Sequence, residues 1–298
     1  GDINISDAYI GIRNDEKWYY AGGNPGNTNV DIIANSITIN AKKEKGSDDA
    51  YTGTGIVVTD GINQGRNSRF NITATGKDGL NIAAEGCGYI VKGTVNSNIA
   101  ATSGSININS GSQGFRLTSK TADKNKLMNT IIKAEEDVNI ISKYEGIESV
   151  VNAGVLEIKA ENGSVNIVSG RDAFRQADVS SMDAVGGLVS GYVELSGLSV
   201  GKIETNITAK ENLKLSGEST GVKYSGVNSG KGNFVSQNGD VYILGNENGM
   251  YIDGQAHDKV SGYKGCGNIG KHDINVKANK GSVYIGAFGK DGQIIGDG

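Results

Sequence analysis

Two apolar residues separated by one other recur nine times along the chain: Ile3/Ile5, Ile37/Ile39, Leu80/Ile82, Ile106/Ile108, Val138/Ile140, Val165/Ile167, Leu213/Leu215, Val241/Ile243 and Val283/Ile285. Every member is Ile, Val or Leu, and the residue between is polar or aromatic, often Asn (Asn4, Asn81, Asn107, Asn139, Asn166). That alternation is the period of a half-buried strand, with one face apolar and the other turned to solvent. The stretch 155–175 shows the whole unit. Leu156 and Ile158 alternate with Glu157 and Lys159, the turn residues Asn162-Gly163 follow, and Val165/Ile167 form the second run. Ser169-Gly170 then precede a third run anchored by Phe174. Turn chemistry bounds each strand.

The flanks repeat as well. Before most pairs a small residue closes an earlier apolar strand, as in Ile72-Thr73-Ala74, Ile99-Ala100-Ala101, Ile207-Thr208-Ala209 and Val276-Lys277-Ala278. Nine residues after the first member of the pair stands a third anchor: Ile12, Tyr89, Phe115, Ile147, Phe174, Val222 or Met250. Gly precedes most of these anchors, which suits a corner needing positive φ or a close backbone approach. Repeats two and nine break the spacing, and Ile56 and Ile294 are the expected anchors there.

Three short strands with three corners make one coil, and a coil so small cannot bury its apolar side alone. Repeats 26 to 48 residues apart fall in the range used by solenoids. Helical and leucine-rich repeats need a helical segment in every unit, and no sustained 3.6-residue periodicity occurs. The expected fold is therefore all-β, a right-handed parallel β-helix (β-solenoid) with three strands per coil and about nine coils. At about 4.8 Å per coil the rod would be about 40 Å long. The repeat runs from end to end, so residues 1–298 read as a single elongated domain.

Composition agrees with that reading. Forty-six glycines and one proline, Pro25, suit many corners and long ladders that proline would break. A net charge of −4 argues against nucleic acid or an acidic membrane as the main partner. No run of about eighteen apolar residues or signal peptide occurs, so no membrane insertion of this segment is expected. The sequence reads as opening on a second strand and closing on a third one at Gln293-Ile294-Ile295-Gly296, with no polar cap, so a piece of a longer rod is expected. Connections of varied length fall near 13–29, 57–68, 91–96, 118–129, 176–201, 225–232 and 253–271. If all leave after the same strand, they crowd one side of the rod, where binding usually lives.

Few residues suggest chemistry. Cys87 and Cys266 lie about five coils, or roughly 24 Å, apart along the axis, beyond disulfide reach, so two free thiols are expected. His257 and His272 have no ligand spacing, and the calcium-binding nonapeptide of another solenoid class is missing, so no metal and no cofactor is expected. The outward position after the third anchor gives a column Arg13, Arg116, Glu148, Arg175, Lys223, with Asp172 close by. This is the candidate ligand-binding face, suited to an acidic glycan; solvated arginines on a strand face account for the column equally well. A cleaving enzyme would need paired carboxylates in one cleft, and no acidic cluster is expected in register. No catalytic residue is assigned.

Ile-Lys-Ala-Glu-Asn-Gly-Ser-Val-Asn-Ile (158–167), Val-Lys-Ala-Asn-Lys-Gly-Ser-Val-Tyr-Ile (276–285) and Asn-Gly-Met-Tyr-Ile (248–252) resemble repeats of large bacterial exoproteins. The similarity is to filamentous-haemagglutinin-type and leukotoxin-type filamentous adhesins and to autotransporter passengers. It covers nearly the whole chain and is one of repeat style. The resemblance implies a virulence-associated stalk, exported through a β-barrel on the full-length protein, secreted or displayed on the bacterial surface. It implies attachment to a receptor, glycan or protein, on host cells or other bacteria. A polysaccharide-degrading lyase or hydrolase, or a fragment of a secreted toxin, are the alternative expectations.

Overall fold

The structure is a computed structural model and describes residues 1–15, 29–46, 51–59, 68–93, 95–119, 128–151, 154–177, 202–225, 229–253, 272–288 and 294–295. Among these, every regular element is a strand. The strands form three sheets whose neighbours, the final short strand excepted, lie three strands apart in sequence, so each sheet collects the same strand from successive coils. We call them sheets one, two and three after the order of strands in the repeat. The fold is a parallel β-helix with three strands per coil.

The nine apolar pairs are one continuous ladder in sheet two. Ile3 pairs with Ile37, Ile37 with Leu80, Leu80 with Ile106, and so on without a slip to Val241 with Val283. Their side chains fill the interior: from Ile37 to Ile243 every member is essentially inaccessible. Burial of each contributes about 1.5–3 kcal/mol, and a one-residue slip would turn the whole column to solvent. In sheet one the small residues Ala34, Ala74, Ala101, Ala134, Ala160, Ala209, Ser236 and Ala278 stack in the same way.

Sheet three stacks the third anchors, Ile12 on Ile56, then Tyr89, Phe115, Ile147, Phe174, Val222 and Met250. Ile56 thus takes the place expected of it. Ile294 does not. The strand Ile294–Ile295 pairs antiparallel with Val283–Phe288 at the edge of sheet two. Only five residues, with Asp291-Gly292 among them, separate the two strands, a length and composition that suit a hairpin return.

The corner glycines are needed for space. A Cβ on Gly114 would lie 2.5 Å from the Gly146 carbonyl oxygen and closer still to the Ile140 Cγ2 methyl. Gly11, Gly55, Gly88 and Gly146 meet the same two groups of their own next coils. None of these five has positive φ, which occurs instead at turns such as Asp78-Gly79, where Gly79 has φ +61°. Alanine occupies the corner once, at Ala173, where the next coil's residue is Leu215. Leucine branches at Cγ, so it lacks the methyl that crowds the other corners.

Aromatic packing in the later coils follows similar complementarity. Phe174, Tyr224 and Phe234 form a triangle with ring centroids 5.6, 6.0 and 6.5 Å apart. The Tyr224 hydroxyl occupies the space a side chain at Gly232 would fill, while the equivalent positions in earlier coils are Thr130, Leu156 and Thr205.

Connections from a third strand to the following first strand vary in length, from 152–153 to 178–201, so most of the variable segments leave the coil at the same point; the second coil has a further long connection, 42–53, between its second and third strands. Third strands reach Asp15 and Thr59, a little further than the sequence suggested. The bulk of the connections, at 16–28, 60–67, 120–127, 178–201, 226–228 and 254–271, lies outside the described residues, as do His257 and Cys266.

Candidate functional site

Sheet three brings the expected column together and adds members to it. Arg116, Glu148, Arg175 and Lys223 follow one another in register. Arg13 belongs to the same column but is separated from Arg116 by Val57 and Ile90. Val57 is fully buried and Ile90 nearly so, so the column is no open basic groove. Arg13 itself packs against the Tyr51 ring, 5.5 Å from its centroid, and Lys223 lies 5.5 Å from that of Tyr251.

A second column stands beside it at the corner between sheets two and three. Each member immediately precedes a corner Gly or Ala: Thr54, Cys87, Gln113, Glu145, Asp172 and Thr220. The Cys87 thiol donates to Gln113 Oε1 (3.2 Å), which also accepts from Ser112 Oγ (2.7 Å). Gln113 Nε2 donates to Glu145 Oε2 (3.3 Å), and Arg171 Nη1 donates to Glu145 Oε1 (3.0 Å). Arg175 lies 3.7 Å from Glu145 and 3.8 Å from Glu148, and Arg116 Nε approaches Glu148 at 3.3 Å. One polar residue per coil thus links four coils.

The carboxylates in and beside this network are screened from solvent. Glu148 is 4% exposed and Asp172 1% exposed. Burial pushes the Glu148 carboxyl above its ordinary range; Arg116 and Arg175 oppose the shift without cancelling it, and Glu145 adds to it. Asp172 is pushed up for the same first reason, against Lys223, Arg175 and Arg171. Neither oxygen of Asp172 finds a hydrogen-bond donor among the described residues. An unpartnered buried carboxylate is costly. Cys87 is a free thiol, also shifted upward by burial.

Sequence reasoning placed Glu148, Arg175 and Asp172 near one another but missed Glu145 and Gln113. The signal was present in the residue before each corner glycine, which alternation alone assigns to no face. Among the described residues no group of three or more His, Cys, Asp or Glu side chains is gathered as metal ligands. No helix among them is long and apolar enough to cross a membrane.

The outer face of sheet two holds a second arrangement. Asn81, Asn107, Asn139 and Asn166 stack in register, and each amide donates to the one before it. Asn166 Nδ2 bonds Asn139 Oδ1, Asn139 bonds Asn107, and Asn107 bonds Asn81, all at 2.9 Å. Asn81 donates in turn to the Asp78 carbonyl at 2.8 Å. Further along the face Tyr242 and Tyr284 stack with centroids 5.0 Å apart and planes 7° from parallel. Outward residues of this column are therefore joined along the axis from Asn81 to Asn166, and again at Tyr242 and Tyr284.

No family model, no curated protein and no solved structure matches this chain.

Proposed function

We propose that this chain is a structural and binding segment of a bacterial surface or secreted adhesin, attaching to host cells or to other bacteria. The observation that supports the reading is the stacking of the nine apolar pairs of sheet two in one continuous ladder, with a single bulge, between Ile5 and Ala8 of the first strand. Continuous ladders of backbone hydrogen bonds along one axis give a stiff rod, and a rod holds binding surfaces away from whatever anchors it. In this reading the receptor is a glycan or protein on the target surface, the full-length protein carries the secretion barrel, and the segment performs no catalysis. The buried carboxylates support that last point. Glu145, Glu148 and Asp172 are nearly inaccessible, and the first two are engaged by Arg171, Arg175 and Arg116, whereas an acid acting on a polymer must reach it.

Beads coated with the chain test the proposal against cultured epithelial cells and against bacterial lawns. Saturable adhesion, competed by soluble chain, is expected. Adhesion no greater than that of albumin-coated beads on both surfaces would refute a binding role.

A further inference from the structure

The two outward columns of sheet two carry no charge over five coils, the second to the sixth. The first column runs Asn4, Thr38, Asn81, Asn107, Asn139 and Asn166. The parallel column beside it is small, polar or apolar: Asn40, Ala83, Asn109, Ile141 and Val168. Charge bounds the stretch at both ends, with exposed Asp7 at the bulge of the first coil, paired with Lys42, and Lys214 in the seventh coil. The other outer faces differ over the same coils. Sheet one presents Asp31, Lys133, Glu157 and Lys159, and sheet three the arginines and Glu148 described above. A shallow depression lies over this part of sheet two, lined by both columns.

The asparagine ladder leaves capacity unused. An amide has two N–H groups and two oxygen lone pairs, and the ladder takes one of each at Asn107 and Asn139. Each of these coils therefore offers one donor and one acceptor, repeating at about 4.8 Å along the axis. The ladder also fixes the side chains in one orientation, so little rotamer freedom is left to lose on binding. Beside this polar line Ile141 is 53% and Val168 38% exposed, in adjacent coils.

A ligand for such a face needs a polar edge and an apolar flank, both repeating at close to the coil spacing, and no charge. An extended peptide repeats each face at about 6.6 Å, every second residue, and falls out of step within two coils. Nucleic acids and acidic glycans draw their affinity from Lys and Arg, which these columns lack before Lys214. A linear chain of pyranose rings meets the requirement, with hydroxyls on its edges, C–H groups on its ring faces and one ring per interval of similar length.

We propose that the sheet-two face from Thr38 to Val168 binds a linear, uncharged polysaccharide laid parallel to the rod axis. Its hydroxyls exchange hydrogen bonds with the ladder amides, and its C–H faces rest on Ala83, Ile141 and Val168. The site stands on the chemistry of this face alone and does not require the chain to act in adhesion. Failure of the bead assay would leave it intact, and its own failure would leave attachment through other faces intact.

The test uses the whole chain with ¹⁵N-labelled asparagine side chains, titrated with cellohexaose, mannohexaose and chitohexaose, and with hexagalacturonate as the charged control. At least one neutral hexamer is expected to shift the amide signals of Asn107 and Asn139, with its trimer binding about tenfold more weakly, a difference of about 1.4 kcal/mol. Ile141→Glu leaves the ladder in place and is expected to weaken the hexamer about tenfold. Lys133→Glu, on sheet one, is expected to change nothing. The proposal is overturned if no neutral hexamer shifts these signals at millimolar concentration, if only hexagalacturonate does, or if Ile141→Glu binds as the parent does.

Discussion

Replacing Gly114 with alanine would put a methyl group where two atoms of the next coil already sit, the Gly146 carbonyl oxygen at 2.5 Å and, closer still, the Ile140 Cγ2 methyl. The carbonyl accepts the Phe115 N–H at 2.9 Å, so it cannot retreat without loosening that ladder bond. The methyl belongs to a fully buried side chain in the interior column. Overpacking of this kind costs about 1–3 kcal/mol, while the stiffer unfolded chain returns about 0.4–1 kcal/mol. The net expectation is a loss of about 1–2 kcal/mol, read by urea unfolding. Hydrogen exchange should place the lost protection in the fourth and fifth coils. The cause can be separated by a cycle with Ile140→Leu, which removes the offending methyl as Leu215 does opposite Ala173. A coupling of at least about 0.5 kcal/mol in the rescuing direction is expected. If Gly114→Ala is as stable as the parent, or if the two changes simply add, the close-approach account of the corner glycines is wrong.

Three further outcomes follow from the same geometry. Ile140→Ala should cost about 2–5 kcal/mol through the cavity it leaves, whereas Ile285→Ala, in the same ladder but 44% exposed, should cost about 1 kcal/mol or less; paired urea melts decide it. Asp172 has its carboxyl pushed up in the folded chain, so the folded state binds the proton more tightly and the associated stability is present in acid and lost as pH rises through the folded value. Asp172→Asn should therefore melt higher than the parent at neutral pH, with the gap closing as pH falls into the carboxylate range; a gap independent of pH would contradict the assignment. In a Cys266→Ser background, Cys87 should resist a disulfide-exchange reagent in the native chain and react on unfolding, because it is buried and burial disfavours its thiolate; rapid native labelling would contradict this.

The parts of the fold that were legible are those governed by alternation. The second-strand pairs, the closing alanines and the third anchors each obey a rule local to a few residues, and stacking identical coils turns those rules into columns. Ile294 escaped because an apolar residue near the right spacing says nothing about strand direction. What distinguishes it is the five-residue connection to Phe288, and connection length is read only once the preceding strand's end is known. The corner column of Thr54, Cys87, Gln113, Glu145, Asp172 and Thr220 was harder for a physical reason. At a corner the backbone turns, so the period of two that assigns faces within a strand no longer applies, and a residue two before an inward anchor need not point inward. Glu145 and Arg171 therefore look like unrelated surface charges in the sequence and form a 3.0 Å pair in the structure.

The asparagine ladder lies between these cases, and the same coil repeat explains why. Alternation correctly turned Asn81, Asn107, Asn139 and Asn166 outward, yet a single strand gives no sign that the side chains contact each other, because their partners are 26 to 32 residues away. In a parallel ladder in register, identical outward residues sit about 4.8 Å apart, the distance at which one amide's N–H reaches the next amide's oxygen. Repetition of Asn at one register position is therefore itself a structural signal once the fold class is known. Ser, with a single rotatable hydroxyl, could not present a donor to one neighbour and an acceptor to the other while keeping a second of each free. Asp would repel its neighbours at the same spacing. The ladder's own requirements thus keep charge out of its column, and the capacity left over in each amide is what the proposed polysaccharide would use.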